Sequence, residues 1–181
     1  GSMLLDGNQM AGLSPRETID AGLGFVPEDR QQHGCVGTFT VAENLILNHH
    51  DEPPYARGIA LDLSKVKQNA SHRINEFDIR THSIEASVSS LSGGNQQKVV
   101  VGRWLHLASK VYIFEDPTAG VDVGAKAEIY RLFDVALQAG AAILIVSTDF
   151  EEVAKVCHRA LVFDRGHVVA EGRGRELAQP V

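Results

Sequence analysis

The chain contains few of the residues that support a disulfide-rich or membrane-embedded structure. It has two cysteines, one tryptophan and six prolines among 181 residues. Cys35 and Cys157 are too few for a disulfide framework and form no ligand-like cluster, which favours reduced thiols and a cytoplasmic protein. The longest purely apolar run, residues 141–146, is far shorter than the roughly 20 residues that a membrane-spanning helix needs. These shortages argue against a small secreted scaffold and an integral membrane protein.

Positive charge is also scarce. The sequence has 17 lysines and arginines against 23 acidic residues, a formal net charge of −6. This balance argues against a large nucleic-acid interface, and we expect no nucleic-acid partner. The composition, 44% apolar and 22% charged, is that of one globular domain and excludes a disordered or collagen-like chain. Gly1 and Ser2, before Met3, resemble an expression scar and are left out of the fold.

The apolar pattern alternates between helices and strands. Two capping boxes, Ser14 with Glu17 and Thr40 with Glu43, predict the starts of two helices. Further helical faces cover residues 66–77, 99–107, 129–137 and 150–156. Short apolar runs predict buried strands at 23–26, 111–114, 142–146 and 160–163, with 168–170 as hairpin partner of the last. We therefore expect an α/β fold with a parallel sheet and a helical insertion over about 40–108.

The strongest chemical motif is Ser92-Gly93-Gly94 at the entrance of a predicted helix. Glycine lets a backbone approach an anion closely, and the first amides of a helix have no partners within that helix. The helix dipole adds positive potential at the same end, so the motif predicts a phosphate site. The alternative is a flexible loop with an ordinary helix cap, because glycine pairs are common in loops.

A second motif places two acids at the end of a predicted strand. Glu115 and Asp116 follow the apolar run 111–114 directly. In phosphate-binding α/β folds, acids at this edge handle the magnesium ion of a nucleotide and the attacking water. The alternative is a strand end with two solvated acids.

Together, in this order and spacing, these residues resemble the ATP-binding cassette (ABC) family. Residues 91–97 match its signature motif, 111–116 its Walker B strand and 120–122 its D-loop. The similarity is closer to the second cassette of the tandem-cassette ATPases of ribose, xylose and galactose-type bacterial importers. Residues 25–30, 92–98 and 121–126 carry that closer match.

The resemblance implies a role for each matched residue. Ser92, Gly93, Gly94 and Gln96 would bind ATP held by a partner cassette. Asp116 and Glu115 would be the catalytic residues, with Glu115 holding Mg²⁺ through its water shell. Asp122 lies at the D-loop, Glu28 at the Q-loop or coupling position, and Thr148 at the H-loop position.

The same resemblance implies ATP- and Mg²⁺-dependent import of a carbohydrate. The expected partners are the other nucleotide-binding cassette, the membrane permease subunits and, indirectly, a substrate-binding protein. Glu28 and the region after it would receive the coupling helix of the permease. The expected location is the cytoplasmic face of the cell membrane, as a peripheral protein.

The sequence departs from the family at several points. It has no Gly-Lys pair and hence no Walker A phosphate loop, so we interpret residues 3–181 as a partial cassette with core segments 3–39 and 109–181. Alone, it should bind ATP weakly or not at all and be inactive. Walker B ends Glu115-Asp116 instead of Asp-Glu, and Thr148 replaces the usual histidine. A missing phosphate-loop strand would leave unpaired edges between 142–146 and 160–163, which predicts an oligomer or a distorted core.

Two other functions stay open at this stage. An ABC ATPase with no transport role would need no permease, and a non-catalytic regulatory module would bind a cassette partner through its signature face. A metal site over His49, His50, Asp51 and Glu52 is disfavoured because adjacent residues point apart, so these are expected to be polar surface. Trp104 is expected in the core.

Overall fold

A computed structural model describes residues 1–174. The helices are α1 (Pro15–Asp20), a π-helix (Arg30–Gly34), α2 (Val41–Ile46), α3 (Leu63–Glu76), a 3₁₀-helix (Val88–Ser90), α4 (Gly93–His106), α5 (Val123–Gln138) and α6 (Phe150–Val156). The strands are β1 (Leu4–Leu5), β2 (Asn8–Gln9), β3 (Leu23–Val26), β4 (Ala56–Arg57), β5 (Ala60–Leu61), β6 (Val111–Glu115), β7 (Ala142–Val146), β8 (Arg159–Asp164) and β9 (His167–Arg173).

The centre of the fold is a parallel sheet of three strands in the order β3-β6-β7. Strand β6 lies in the middle, with Tyr112 and Phe114 buried on one face, as expected for an apolar strand covered by helices. The carboxyl ends of all three strands therefore meet at one edge of the sheet. The predicted α/β class and the predicted parallel arrangement are confirmed.

Local capping explains where several helices begin. The capping boxes expected at Ser14 and Thr40 are both complete. Asp62, Asp122 and Asp149 accept hydrogen bonds from the first amides of α3, α5 and α6. Each carboxylate satisfies amides that lack partners within the helix and lies favourably in the helix dipole.

Helix α4 forms the main wall of the core. It begins at Gly93, within the Ser-Gly-Gly motif that the sequence placed at its entrance, and packs against α2, α5 and β3. Gln96, Gln97 and Lys98 are buried in its first turns. Trp104 is only 8% exposed, which confirms its predicted place in the core.

The insertion over 40–108 is not purely helical. Strands β4 and β5 form an antiparallel hairpin between α2 and α3, and β1 and β2 form another near the start of the chain. Each of these strands has two residues, too few to show an alternating pattern. The sequence pattern also did not predict the π-helix over Arg30–Gly34.

The sheet is interrupted where the sequence predicted. Within residues 1–174, β7 pairs only with β6, and β8 pairs only with β9. Leu144 and Val146 of β7 are each about half exposed. The β8-β9 turn has positive φ at Arg165 and Gly166, as in a type I′ hairpin turn. Whether a second copy covers the β7 edge stays a prediction.

No helix in the described part of the chain is both long and apolar enough to cross a bilayer.

Candidate functional site

The signature turn lies at the start of α4, with its first amides directed out of the helix. Ser92 is the N-cap in extended geometry, yet its side chain makes no capping hydrogen bond. It is exposed, and its Oγ accepts a 2.9 Å hydrogen bond from Asn95 Nδ2. Gly93 and Gly94 form the first helical residues, where backbone amides have no partners within the helix. The turn thus presents backbone donors and a hydroxyl at the positive end of a 14-residue helix.

The D-loop packs directly on the signature turn. A Cβ atom at Gly94 would lie 2.6 Å from the Cβ of Ala125, and one at Gly93 would lie 3.3 Å from the carbonyl oxygen of Gly120. Asp122 is exposed, and its Oδ1 accepts a 3.0 Å hydrogen bond from the Ala125 amide to cap α5. The two glycines are therefore required for this internal packing.

A cavity of about 160 Å³ lies beside the signature turn, against the start of α5. Lys98 lines it, is almost fully buried and pairs with Glu128 Oε2 at 2.7 Å. This ion pair reduces the positive charge that Lys98 gives the cavity, whose lining also includes Arg80 and Asp122. Gln96 is 9% exposed, and its Nε2 donates to the carbonyl of Leu91 at 3.0 Å. The side-chain amide of Gln96 therefore stabilises the residue that precedes the signature turn.

The two predicted catalytic acids lie at the carboxyl end of β6, as expected. Glu115 is the last residue of the strand, and Asp116 follows with a left-handed φ of 37°. Asp116 Oδ1 accepts hydrogen bonds from Ser147 Oγ at 2.8 Å and from the Thr148 amide at 3.2 Å. At the H-loop position, Thr148 therefore contributes its main-chain amide to this contact, while its side chain is exposed.

A buried carboxylate supports this acidic end, and the sequence analysis missed it. Glu152 of α6 is 7% exposed and accepts hydrogen bonds from Thr118 Oγ1 at 2.5 Å, from Tyr130 Oη and from Ser147 Oγ at 3.3 Å. Burial and the hydrogen bond to Glu152 raise the pKa of Tyr130 well above its usual range. One sequence signal could have pointed to this cluster: Ser147 follows β7 directly, at the edge of a parallel sheet where ligands bind.

The coupling position joins the same edge. Glu28 is exposed after β3, and two residues later Arg30 begins the π-helix. Arg30 Nη1 donates to the carbonyl of Ala119 at 2.9 Å, a contact that the sequence pattern did not predict. The structure thus brings together the signature turn, the D-loop and the segment after Glu28. It brings Asp116 together with Thr148 in a neighbouring cluster, and residues 116–122 connect the two.

A larger cavity, about 340 Å³, lies at the opposite end of β3 and β6. His49 lines it and is buried, with ring centroids 5.0 Å from Tyr55 and 5.1 Å from His106. The expectation that His49 is polar surface was wrong, because this aromatic contact removes it from water; its neighbour His50 is exposed as expected. Burial and the nearby His106 lower the pKa of His49 to about 4. Ligands of parallel sheets bind at the carboxyl ends of strands, so this larger cavity, at the amino ends of β3 and β6, is not the candidate site.

The acids suit a magnesium ion shared with a nucleotide. Among the residues that the structure describes, no group of three or more His, Cys, Asp or Glu side chains is arranged to hold a metal. Mg²⁺ is usually held by one or two carboxylates together with substrate phosphates. Glu115 and Asp116 offer such oxygen ligands, so they fit one part of a metal–nucleotide site.

The fold is that of the ATP-binding cassettes of known structure. It is similar to the solved structure of a nucleotide-free ATP-binding cassette from an ABC transporter, with a TM-score of 0.76 and 23% identity, covering 97% of this chain and 72% of that one. It is also similar to the cassette MJ0796, solved as a dimer in a post-hydrolysis state with ADP and Pi, with a TM-score of 0.75 and 22% identity, covering 93% and 71%. At these identities the likeness shows the fold.

The family model for ABC transporters matches residues 1–119, and the chain belongs to this family. It is 41% identical over 180 residues to the ribose import ATP-binding protein RbsA 1 of Rubrobacter xylanophilus, covering 99% of this chain and 36% of that protein. It is 40% identical over 171 residues to the arabinose import ATP-binding protein AraG of Azospirillum brasilense, covering 94% and 33%. The chain thus spans about a third of the length of these relatives.

Proposed function

We propose that this chain is the signature-bearing part of an ATPase subunit that powers carbohydrate import across the bacterial cytoplasmic membrane. The observation that carries the proposal is the packing of the signature turn on the D-loop, at the sheet edge that also holds Glu115 and Asp116. Relatives at about 40% identity, named for ribose and arabinose import, support the carbohydrate assignment. The protein would act at the cytoplasmic membrane face as a peripheral subunit.

The signature turn would act on ATP gripped by a partner cassette. Ser92 Oγ and the amides of Gly93 and Gly94 would face the triphosphate, because they combine free donors with the helix dipole. Gln96 would support this surface through its bond to Leu91. The 181 residues contain no Gly-Lys phosphate loop, so the chain alone would bind ATP weakly.

Asp116 would orient the attacking water. Its Oδ1 is occupied by Ser147 and Thr148, while Oδ2 has no protein donor among the described residues and can accept from water. Glu115 would contact the water shell of a magnesium ion, whose charge neutralises the developing charge on the phosphates. Both side chains differ by one methylene from the usual order, and a displacement of about 1 Å can cost roughly a hundredfold in rate.

The remaining roles concern the membrane partners. We propose that Glu28 and the surface after it receive the coupling helix of a permease, and that closure on ATP moves this surface. A substrate-binding protein would act through the permease. Sugar selectivity would lie in those proteins, since the site described here is directed at phosphate.

The test is a titration with magnesium-ATP, first of the chain alone and then of the chain mixed with an ATP-gripping cassette of a carbohydrate importer. We expect weak or absent binding alone and hydrolysis by the mixture. Ser92→Arg should abolish that hydrolysis by filling the signature turn, whereas Ser71→Arg, on the exposed face of α3, should preserve it. Micromolar binding by the chain alone, or full activity of Ser92→Arg, would contradict the proposal. Stable pairing without hydrolysis would favour a regulatory module.

A further inference from the structure

The π-helix after Glu28 is held at its far end by a buried arginine of the signature helix. Arg103 of α4 is 3% exposed, and its Nη2 donates to the carbonyl of Gly34 at 2.7 Å. Its Nη1 donates more weakly to the carbonyl of Asn44 at 3.4 Å. Burial lowers the pKa of Arg103 to about 10, so it stays charged at neutral pH. No carboxylate within residues 1–174 pairs with it, which makes backbone carbonyls its partners.

A second arginine reaches out from the near end of the π-helix. Arg30 Nη1 donates to the carbonyl of Ala119, 89 positions away in sequence. Its Nη2 covers the signature turn, since a Cβ at Gly93 would lie only 2.8 Å from this nitrogen. A Cβ at Gly120 would lie 3.6 Å from the same atom. One guanidinium from the segment after Glu28 therefore bonds Ala119 and lies close to both the D-loop and the signature turn.

The chemistry of these contacts indicates positioning. In the described part of the chain, Arg30 has no carboxylate partner, so its charge is not used in an ion pair. A guanidinium is planar and directs several N–H groups at fixed angles, which suits it to hold two backbone segments in one geometry. A lysine ammonium could satisfy the Ala119 carbonyl but could not also cover Gly93 with a second nitrogen.

The far end of the π-helix is tightly packed against α4. A Cβ at Gly34 would lie 3.2 Å from the Cβ of Arg30 and 3.3 Å from Val100 Cγ2 of α4. This closeness leaves no room for the segment to slide independently of α4. π-Helices are rare and are often found at functional sites.

We propose that Arg30 is a positioning residue that ties the segment after Glu28 to the signature turn and the D-loop. Displacement of the Glu28 surface then moves Gly93 and Gly120 through one side chain, while Arg103 keeps the far end of the π-helix on α4. The Arg30 contact is inferred from the geometry alone. Its role as a link between permease and nucleotide rests on the proposed function.

Hydrogen exchange on the chain alone tests the contact. Arg30→Gln should speed exchange of the hydrogen-bonded amides of Ala119, Val121 and Gln96 by about tenfold, the change expected from losing one hydrogen bond to a charged group. Arg131→Gln, at an exposed site on α5, should leave them unchanged. Unchanged exchange in Arg30→Gln, or faster exchange at every protected amide of the chain, would overturn the proposal.

A reciprocal variant separates positioning from general stability. Gly93→Ala places a methyl group against Arg30 Nη2 and should displace the guanidinium from Ala119. Gly93→Ala should therefore speed hydrogen exchange at the same amides. The exchange rates of the double variant should exceed those of either single variant by no more than about twofold, because the two changes remove the same contact. In Arg30→Lys, the exchange rate of the Ala119 amide should be closer to its value in the unmodified chain than the rate of the Gln96 amide is. Additive effects of the two changes would contradict a shared contact.

The link is then tested in an assembled importer that contains this chain. Arg30→Gln should reduce by about tenfold the ratio of ATP hydrolysis with sugar-loaded binding protein to hydrolysis without it. A proportional fall of both rates would overturn the transmission step. If every variant and the unmodified protein fail to hydrolyse ATP, the proposed function fails, while the exchange measurements still decide the Arg30 contact.

Discussion

The hydroxyl of Ser147 donates to Asp116 Oδ1 at 2.8 Å and so fixes the acid that follows β6 to the end of β7. Asp116 has a left-handed backbone, and its own amide donates to the carbonyl of Val146 at 2.8 Å. Side chain and main chain are thus both anchored to the neighbouring strand. The orientation of Asp116 therefore depends on both β6 and β7.

Ser147→Ala should reduce hydrolysis in the assembled importer by about tenfold through kcat, with little change in KM for ATP. The reason is that removal of one hydrogen bond to a charged acceptor costs about 1.5–3 kcal/mol and frees Asp116 to rotate. Steady-state kinetics with the matched control Ser71→Ala would check this. A Ser147→Ala variant with an unchanged kcat would show that Ser147 does not orient the acid.

Glu152→Ala should lower the free energy of unfolding by about 2–4 kcal/mol. The change leaves the hydroxyls of Thr118 and Tyr130 without their acceptor and removes the volume of a buried side chain. Urea unfolding followed by circular dichroism measures it. Glu151→Ala is the control, because that neighbouring side chain is 86% exposed and, among residues 1–174, pairs only with Lys155, at 3.4 Å. We expect a change below about 0.5 kcal/mol there, and equal losses in both variants would refute a special role for burial.

Local signals predicted much of the fold. Capping residues such as Ser14 and Thr40 act within four positions, and the apolar strands β6 and β7 are short enough to recognise by composition. The contacts that organise the candidate site join distant positions: Arg30 with Ala119, and Ser147 with Asp116 across 31 residues. No sequence period reports such pairs, because they depend on which strands become neighbours. Recognising the motifs therefore located the site but could not show how it is held together.

Gly102→Ala should destabilise the protein by up to about 2 kcal/mol net, although alanine favours helices more than glycine does. A Cβ at Gly102 would lie 2.4 Å from Phe77 Cδ2, so the aromatic ring that closes α3 would have to move. This strain exceeds the gain of about 1 kcal/mol in helix propensity. Thermal unfolding would check it. Phe77→Leu in the same chain should recover part of the loss, and strictly additive losses would rule out the clash.

His49 should make the protein less stable in mild acid. Its folded pKa of about 4 lies below the ordinary value of 6.5, so the folded state keeps the imidazole neutral while the unfolded state takes up a proton. This contribution is complete above pH 6.5 and is lost as the pH falls from 6.5 towards 4, by about 3 kcal/mol in total. Burial is the main cause of the lowered pKa of His49, and the nearby His106 and the positive charge of Arg103 lower it further.

His49→Phe should remove this dependence, because a phenyl ring keeps the contacts with Tyr55 and His106 without titrating. Urea unfolding at pH 7 and at pH 4.5 gives the comparison, and the variant should lose about 2–3 kcal/mol less than the unmodified chain between these values. His50→Phe, changed at the exposed neighbour, should keep the original dependence. Parallel pH curves for the unmodified chain and His49→Phe would mean that the buried imidazole is protonated in the folded state, and the aromatic cluster would then have to contain a charge.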